Sequence, residues 1–171
     1  MSDNTRILGI DPGSQVTGFG LIDARRRGSD LRLIHYGAIR ANGDHSARLR
    51  QIFEQVRHLV NEFHPDEVAV ERVFVHRNAD SALKLGQARA AALCATFDAQ
   101  LPVFEYAARH IKKAVVGRGG ADKTQVQHMV KLMLGMRTEP QADAADALAA
   151  ALCHAHARST RSLLEEAAVH S

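Results

Sequence analysis

The chain has 171 residues, 46% of them hydrophobic and 24% charged, which suits one domain with a buried core and excludes a disordered, fibrous or repeat protein. Its formal charge of +3, from 22 Lys and Arg against 19 Asp and Glu, is compatible with most partners and decides little by itself. No apolar run nears the ~20 residues of a bilayer span, the opening MSDNTR lacks the apolar stretch of a signal peptide, and Cys94 and Cys153 have no CxxC spacing; a cytoplasmic protein with two core thiols and no membrane partner is expected.

RILGID, residues 6–11, is a short apolar run entering the DPGSQ turn, and VTGFGLIDA, 16–24, returns from it as the second strand of a hairpin. RLIHYGAIR, 32–40, supplies a third antiparallel strand after a polar turn at 25–30. Leu49, Ile52, Phe53, Val56, Leu59, Val60 and Phe63 then recur at helical spacing, and His64 with Pro65 ends that helix. EVAVERV, 67–73, follows as a strand expected to lie parallel to the first. Asn78 can cap a helix running to about residue 99, VFEYA at 103–107 is a fifth strand, and helices follow over about 108–116, 123–134 and 141–157. The expected fold is α/β: a five-stranded mixed sheet, three antiparallel strands and then two parallel ones, with helices on both faces. Residues 1–158 form the domain, and 159–171 a flexible tail.

Four carboxylates stand out along this order. Asp11 closes the first strand and is held there by the Pro12–Gly13 turn; an ordinary turn aspartate accepting backbone N–H groups would look the same. Glu71 interrupts a β-branched run in a strand expected to be central, so its charge needs compensation, from Arg72 or Arg77 in the bland reading. Asp143 and Asp146 lie three residues apart, on nearly one face of a helix that is otherwise apolar almost all round. The helix dipole accounts for Asp143 in the first turn better than for Asp146. A mixed sheet can bring these elements to one edge, and four carboxylates there would require cations. Hard oxygen donors without a dedicated His or Cys suit Mg²⁺ or Mn²⁺, and a pair of such ions can activate water and stabilise a leaving oxygen.

A basic stretch complements them. From Arg109 to Lys123 five cations, Arg109, Lys112, Lys113, Arg118 and Lys123, face only Asp122, a local +4 that a polyanion or plain solvent would satisfy. Together with the carboxylates it points to phosphodiester hydrolysis on a nucleic acid. Cys153, His154 and His156 suggest a soft-metal site, but their crowding on one helix cannot aim all three at one ion, and no histidine is assigned a role.

The segments ILGIDPGSQVTGFG, AVERVF, NADSALKLGQAR, LPVFEYAARHIKKAVVG, ADKTQVQHMV and PQADAADALA, spanning nearly the whole chain, resemble in order and spacing the RuvC family of Holliday-junction resolvases. The resemblance implies an RNase H-like fold and a homodimer that cuts opposed strands of a four-way junction symmetrically with Mg²⁺, two ions per site. It implies Asp11, Glu71 and Asp143 as catalytic, metal-binding carboxylates with Asp146 as the fourth, and Lys112 and Lys123 beside the scissile phosphate. DNA contacts from Phe74, Arg77, Lys113 and Arg118, and the RuvA and RuvB branch-migration proteins as partners, are implied in the same way. Phe74 would stack on an opened base, although its parity with Val68 and Val70 also suits a core position. Arg72 departs from the polar uncharged residue common there. Ala79, Ala82, Gly86, Ala90 and Ala91 would allow close helix approach at a dimer interface or simple packing on the sheet. Two other readings are an ATP-binding lobe of the actin and sugar-kinase type, for which one lobe is too little, and a junction-binding module without turnover.

Overall fold

The computed structural model describes residues 4–25, 30–72 and 78–169. Strands β1 (Asn4–Asp11), β2 (Val16–Arg25) and β3 (Leu31–Arg40) form the antiparallel meander. Helix α1 (His45–Phe63) crosses over to β4 (Glu67–Arg72), and α2 (Ala79–Cys94) to β5 (Val103–Ala107). Helices α3 (Ala108–Val116), α4 (Lys123–Met133) and α5 (Ala142–Val169) complete the chain. The sheet order is β3-β2-β1-β4-β5, with β1, β4 and β5 parallel, which is the expected mixed sheet.

Period-two alternation divides the sheet between two cores. Leu8 and Ile10 of β1 and Val68 of β4 pack with Ile52 and Val56 of α1 and Ala88 and Ala92 of α2. Ile7 and Ala69 point the other way, against Ile111 of α3, Val126 and Val130 of α4, and Leu148 and Leu152 of α5. Asp11 shares the parity of Ile7, and Glu71 that of Ala69, so the strand pleat alone assigns both carboxylates to the α5 face. Helix α5 lies directly on the sheet: a Cβ on Gly9 would strike the Ala147 carbonyl, and one on Gly18 the Asp143 carbonyl.

Helix ends follow local chemistry. Asp44 caps α1 through the Ala47 amide at 2.8 Å, and His64 closes it in the left-handed region at φ 47°. Asn78 caps α2 as expected, accepting from the Asp80 and Ser81 amides. That helix stops at Cys94 instead of near 99, because the Thr96 amide and hydroxyl both turn back to the Leu93 carbonyl and tighten the chain into turns. Cys94 is exposed there, correcting its assignment to the core, whereas Cys153 is buried. Helix α5 continues past residue 158 to Val169, since no Gly or Pro interrupts 142–169.

Candidate active site: a carboxylate cluster at the sheet end

Asp11 is the last residue of β1 and pairs in register with Gly18 of β2, the glycine on which the Asp143 backbone rests. Thr17, fully buried, braces the turn between the two strands by donating from its hydroxyl to the Gly13 carbonyl at 3.0 Å. Glu71 reaches the same end of the sheet on the parallel neighbour β4. Asp143 and Asp146 occupy the first turns of α5. Three elements, remote in sequence, therefore deliver four carboxylates to one place.

Their mutual field is visible in the proton affinities of Asp11, Glu71 and Asp146. Burial first, and then the charges of Asp146, Glu71 and Asp143, push the Asp11 carboxyl up to about 7, against the opposing pull of Lys123. Burial and Asp146 raise Glu71, with Lys112 and Lys123 partly offsetting them. Asp146 is raised mainly by burial, although Lys123 opposes it from 3.6 Å. The cluster shares a field but is not closed on a common point: among the described residues no three His, Cys, Asp or Glu side chains stand at metal-ligand spacing. The donor set is nevertheless the right one for a hard divalent cation, since its members are oxygen-only and short of positive charge.

The two lysines come from the basic stretch. Lys112 projects from α3, whose turn ends at Gly117 in the left-handed region, φ 87°. Lys123 opens α4 immediately after its cap, where Asp122 and Gln125 exchange side-chain and backbone bonds in a capping box. Lys113 and Arg118 are exposed and lie outside this set, while Phe74 and Arg77 fall outside the described residues. Arg72 does not neutralise Glu71; its Nε lies 3.9 Å from Glu105, whose other oxygen takes Arg89 of α2 at 2.7 Å.

Sequence reading missed a second polar assembly on the same helix. His154, fully buried, meets the Tyr106 hydroxyl at 2.6 Å and Glu67 at 2.5 Å, and Arg158 reaches the same Glu67 oxygen at 2.8 Å. Its one sequence signal was the strand spacing of Glu67 and Glu71, which places both on the α5 face.

Residues 7–154 match the family model described as crossover junction endodeoxyribonuclease RuvC. The RuvC of Aliivibrio fischeri strain MJ11 is 56% identical over 155 residues, covering 90% of this chain and 88% of its own. That of Halorhodospira halophila is 57% identical over 157 residues, with coverage of 91% and 92%. Among solved structures, T. thermophilus RuvC in complex with Holliday junction substrate superposes with a TM-score of 0.85 at 34% identity, covering 92% of this chain and 97% of that one.

Proposed function

The chain belongs to the RuvC family of crossover junction endodeoxyribonucleases, and from that premise we propose that it resolves four-way DNA junctions by paired, symmetric, metal-dependent hydrolysis of opposed strands in recombination and repair. The observation that carries this reading is the convergence of Asp11, Glu71, Asp143 and Asp146, where burial and then the charges of the other three lift Asp11 to about 7. A group of buried anions that lack sufficient protein cations is arranged to receive cations from outside.

Asp11, Glu71, Asp143 and Asp146 would hold two Mg²⁺ ions, with Mn²⁺ an acceptable substitute. Divalent cations held there would supply activation of an attacking water and charge stabilisation of a departing 3′ oxygen, the chemistry that leaves a 3′-hydroxyl and a 5′-phosphate. Lys112 and Lys123 offset negative charge developing on the scissile phosphate, a role suited to ammonium groups already facing the carboxylates. Lys113 and Arg118 contact the DNA backbone outside the reacting centre, with Arg77 and Phe74 beyond β4.

Paired cutting calls for two copies, and the outer face of α2 supports a homodimer. Leu83 is 61% exposed, Phe97 beyond the helix 58%, and nothing stands within 4 Å of where a Cβ on Gly86 would lie. Among the described residues no helix is long and apolar enough to cross a membrane, and we place the protein in the cytoplasm with RuvA and RuvB as its partners. Incubating an end-labelled four-way junction with Mg²⁺ and mapping the products tests the reading. Symmetric, ligatable nicks are expected; a mobility shift with intact strands would leave only a binding module.

A further inference from the structure

His154 ties three elements together at the far end of β4 from the carboxylate cluster. Burial and the charge of Cys153 push the Tyr106 phenol up to about 12, so its hydroxyl stays protonated. Glu67 is held below its ordinary range: burial acts to raise it but is outweighed by the His154 hydrogen bond and Arg158. An ionised carboxylate can only accept, so His154 donates from Nε2 to Glu67, while its Nδ1 pairs with the Tyr106 hydroxyl. The Phe104 ring stacks on the imidazole at a centroid distance of 4.3 Å. One side chain of α5 is thereby bonded to β4 through Glu67 and to β5 through Tyr106, the residue paired in register with Glu71.

This attachment differs in kind from the rest of the α5 packing. The helix meets β1 and β2 through Ala147 and Ala151 over Gly9, the Asp143 backbone over Gly18 and Leu148 over Gly20. These contacts, with Leu152 in the same core, hold the helix close to the sheet, but apolar burial is non-directional. Hydrogen bonds are directional, and those of His154 add an angular constraint that burial alone does not. At a rise of 1.5 Å per residue, Asp146 sits roughly 12 Å along the axis from His154, so a 10° tilt about that point would displace Asp146 by about 2 Å. Carboxylates that share a field without yet standing at ligand spacing are sensitive to displacements of that size.

We propose that His154 is a positioning residue for the carboxylate cluster: through Tyr106 and Glu67 it sets the placement of α5, and with it Asp143 and Asp146, against Asp11 and Glu71. The inference rests on the nuclease reading for its link to cleavage, but its link to cation binding is separate. The test compares Tyr106→Phe, His154→Leu, His154→Gln and the Tyr106→Phe/His154→Leu double variant in the full-length protein. The measurements are single-turnover cleavage of a saturated junction, junction affinity without divalent cation, thermal unfolding, and Mn²⁺ binding to the DNA-free protein by calorimetry.

His154→Leu should lower both cleavage and Mn²⁺ affinity by about tenfold, the scale seen when groups orienting ligands are removed. Junction affinity should stay within about twofold, because phosphate contacts are distinct from the cluster. Tyr106→Phe should give a smaller loss in the same two quantities, the double variant no more than His154→Leu alone, and His154→Gln a partial recovery. Wild-type cleavage and Mn²⁺ binding in folded His154→Leu would overturn the proposal, as would losses that merely track the unfolded fraction. Should His154→Leu fail to fold, an unchanged Tyr106→Phe overturns it equally. If the unaltered protein binds junctions without cutting them, the nuclease reading falls, while the Mn²⁺ isotherms still decide the role of His154.

Discussion

Glu67 and Glu71 stand four residues apart on one strand, on one face, under one helix, yet the fold treats them in opposite ways. Glu67 is met by His154 and Arg158 and is held below its ordinary proton affinity in spite of burial. Glu71 is raised by burial and by Asp146, with Lys112 and Lys123 too weak to compensate. A buried carboxylate with complete partners stabilises a particular packing arrangement, whereas one surrounded by other carboxylates stores unfavourable energy until a ligand arrives. The first kind of site belongs to the scaffold and the second, in the function proposed above, to the chemistry, and the two ends of β4 hold one of each.

Substitution should separate the two ends first through activity. Asp11→Asn, Glu71→Gln and Asp143→Asn are each expected to reduce junction cleavage by roughly a thousandfold or more, since each removes an oxygen proposed to hold a cation, while junction affinity changes little. Cleavage mapped alongside a gel-shift titration checks this, and normal cutting by any one variant removes that residue from the set. Stability should then divide them in the other direction. Glu67→Ala leaves His154 and Arg158 without their anion and should cost about 2–4 kcal/mol in chemical unfolding. Glu71→Gln removes a repelled charge and should leave the metal-free protein at least as stable as before.

The pH dependence sharpens the same contrast. Asp11 holds its proton more tightly folded than unfolded, its value rising from 3.8 to about 7. Its stability contribution is therefore complete below the unfolded value and is lost as pH rises through about 7. Glu67 has the reverse sign: its contribution is present above its ordinary value and is lost as pH falls through the depressed one. Metal-free protein should accordingly unfold more easily at pH 8 than at pH 5.5. Asp11→Asn should recover about 1–2 kcal/mol of that difference, and Mg²⁺ should recover it without mutation. Thermal melts across that interval are the measurement, and a flat profile would mean the cluster is neutralised from within.

Much of this arrangement is legible in the amino-acid order alone. The alternation Ile7, Gly9, Asp11 and Ala69, Glu71 assigns both strand carboxylates to one face, and an apolar helix with two aspartates at its start has to pack there. Hidden from such reading were contacts joining residues far apart in sequence. His154 meets partners 48 and 87 positions away, and among Cys153 and His156 it suggested only an unworkable metal trio. The end of α2 escaped for a different reason. Its alanines continue to Ala95 without a breaker, and the stop comes from Thr96 turning back on Leu93, a local competition that propensity does not register. Nor does composition distinguish Cys94 from Cys153, since exposure depends on which helix face meets the sheet.

The smallest expected effect concerns Arg72, beside Glu71 at the open end of the strand. Its Nε lies 3.9 Å from Glu105 with 56% of the side chain exposed, whereas Arg89 holds the other Glu105 oxygen at 2.7 Å. So loose an exposed pair contributes at most a few tenths of a kcal/mol, and Arg72→Gln should leave the melting temperature essentially unchanged. Stability therefore gives little account of a cation at that position. If its charge serves a DNA phosphate, Arg72→Gln should weaken junction binding modestly and reduce the slope of log affinity against log salt by about one. An unchanged slope would assign Arg72 to the scaffold with Glu105 and Arg89, and would move the boundary between the two ends of β4 to Glu71 itself.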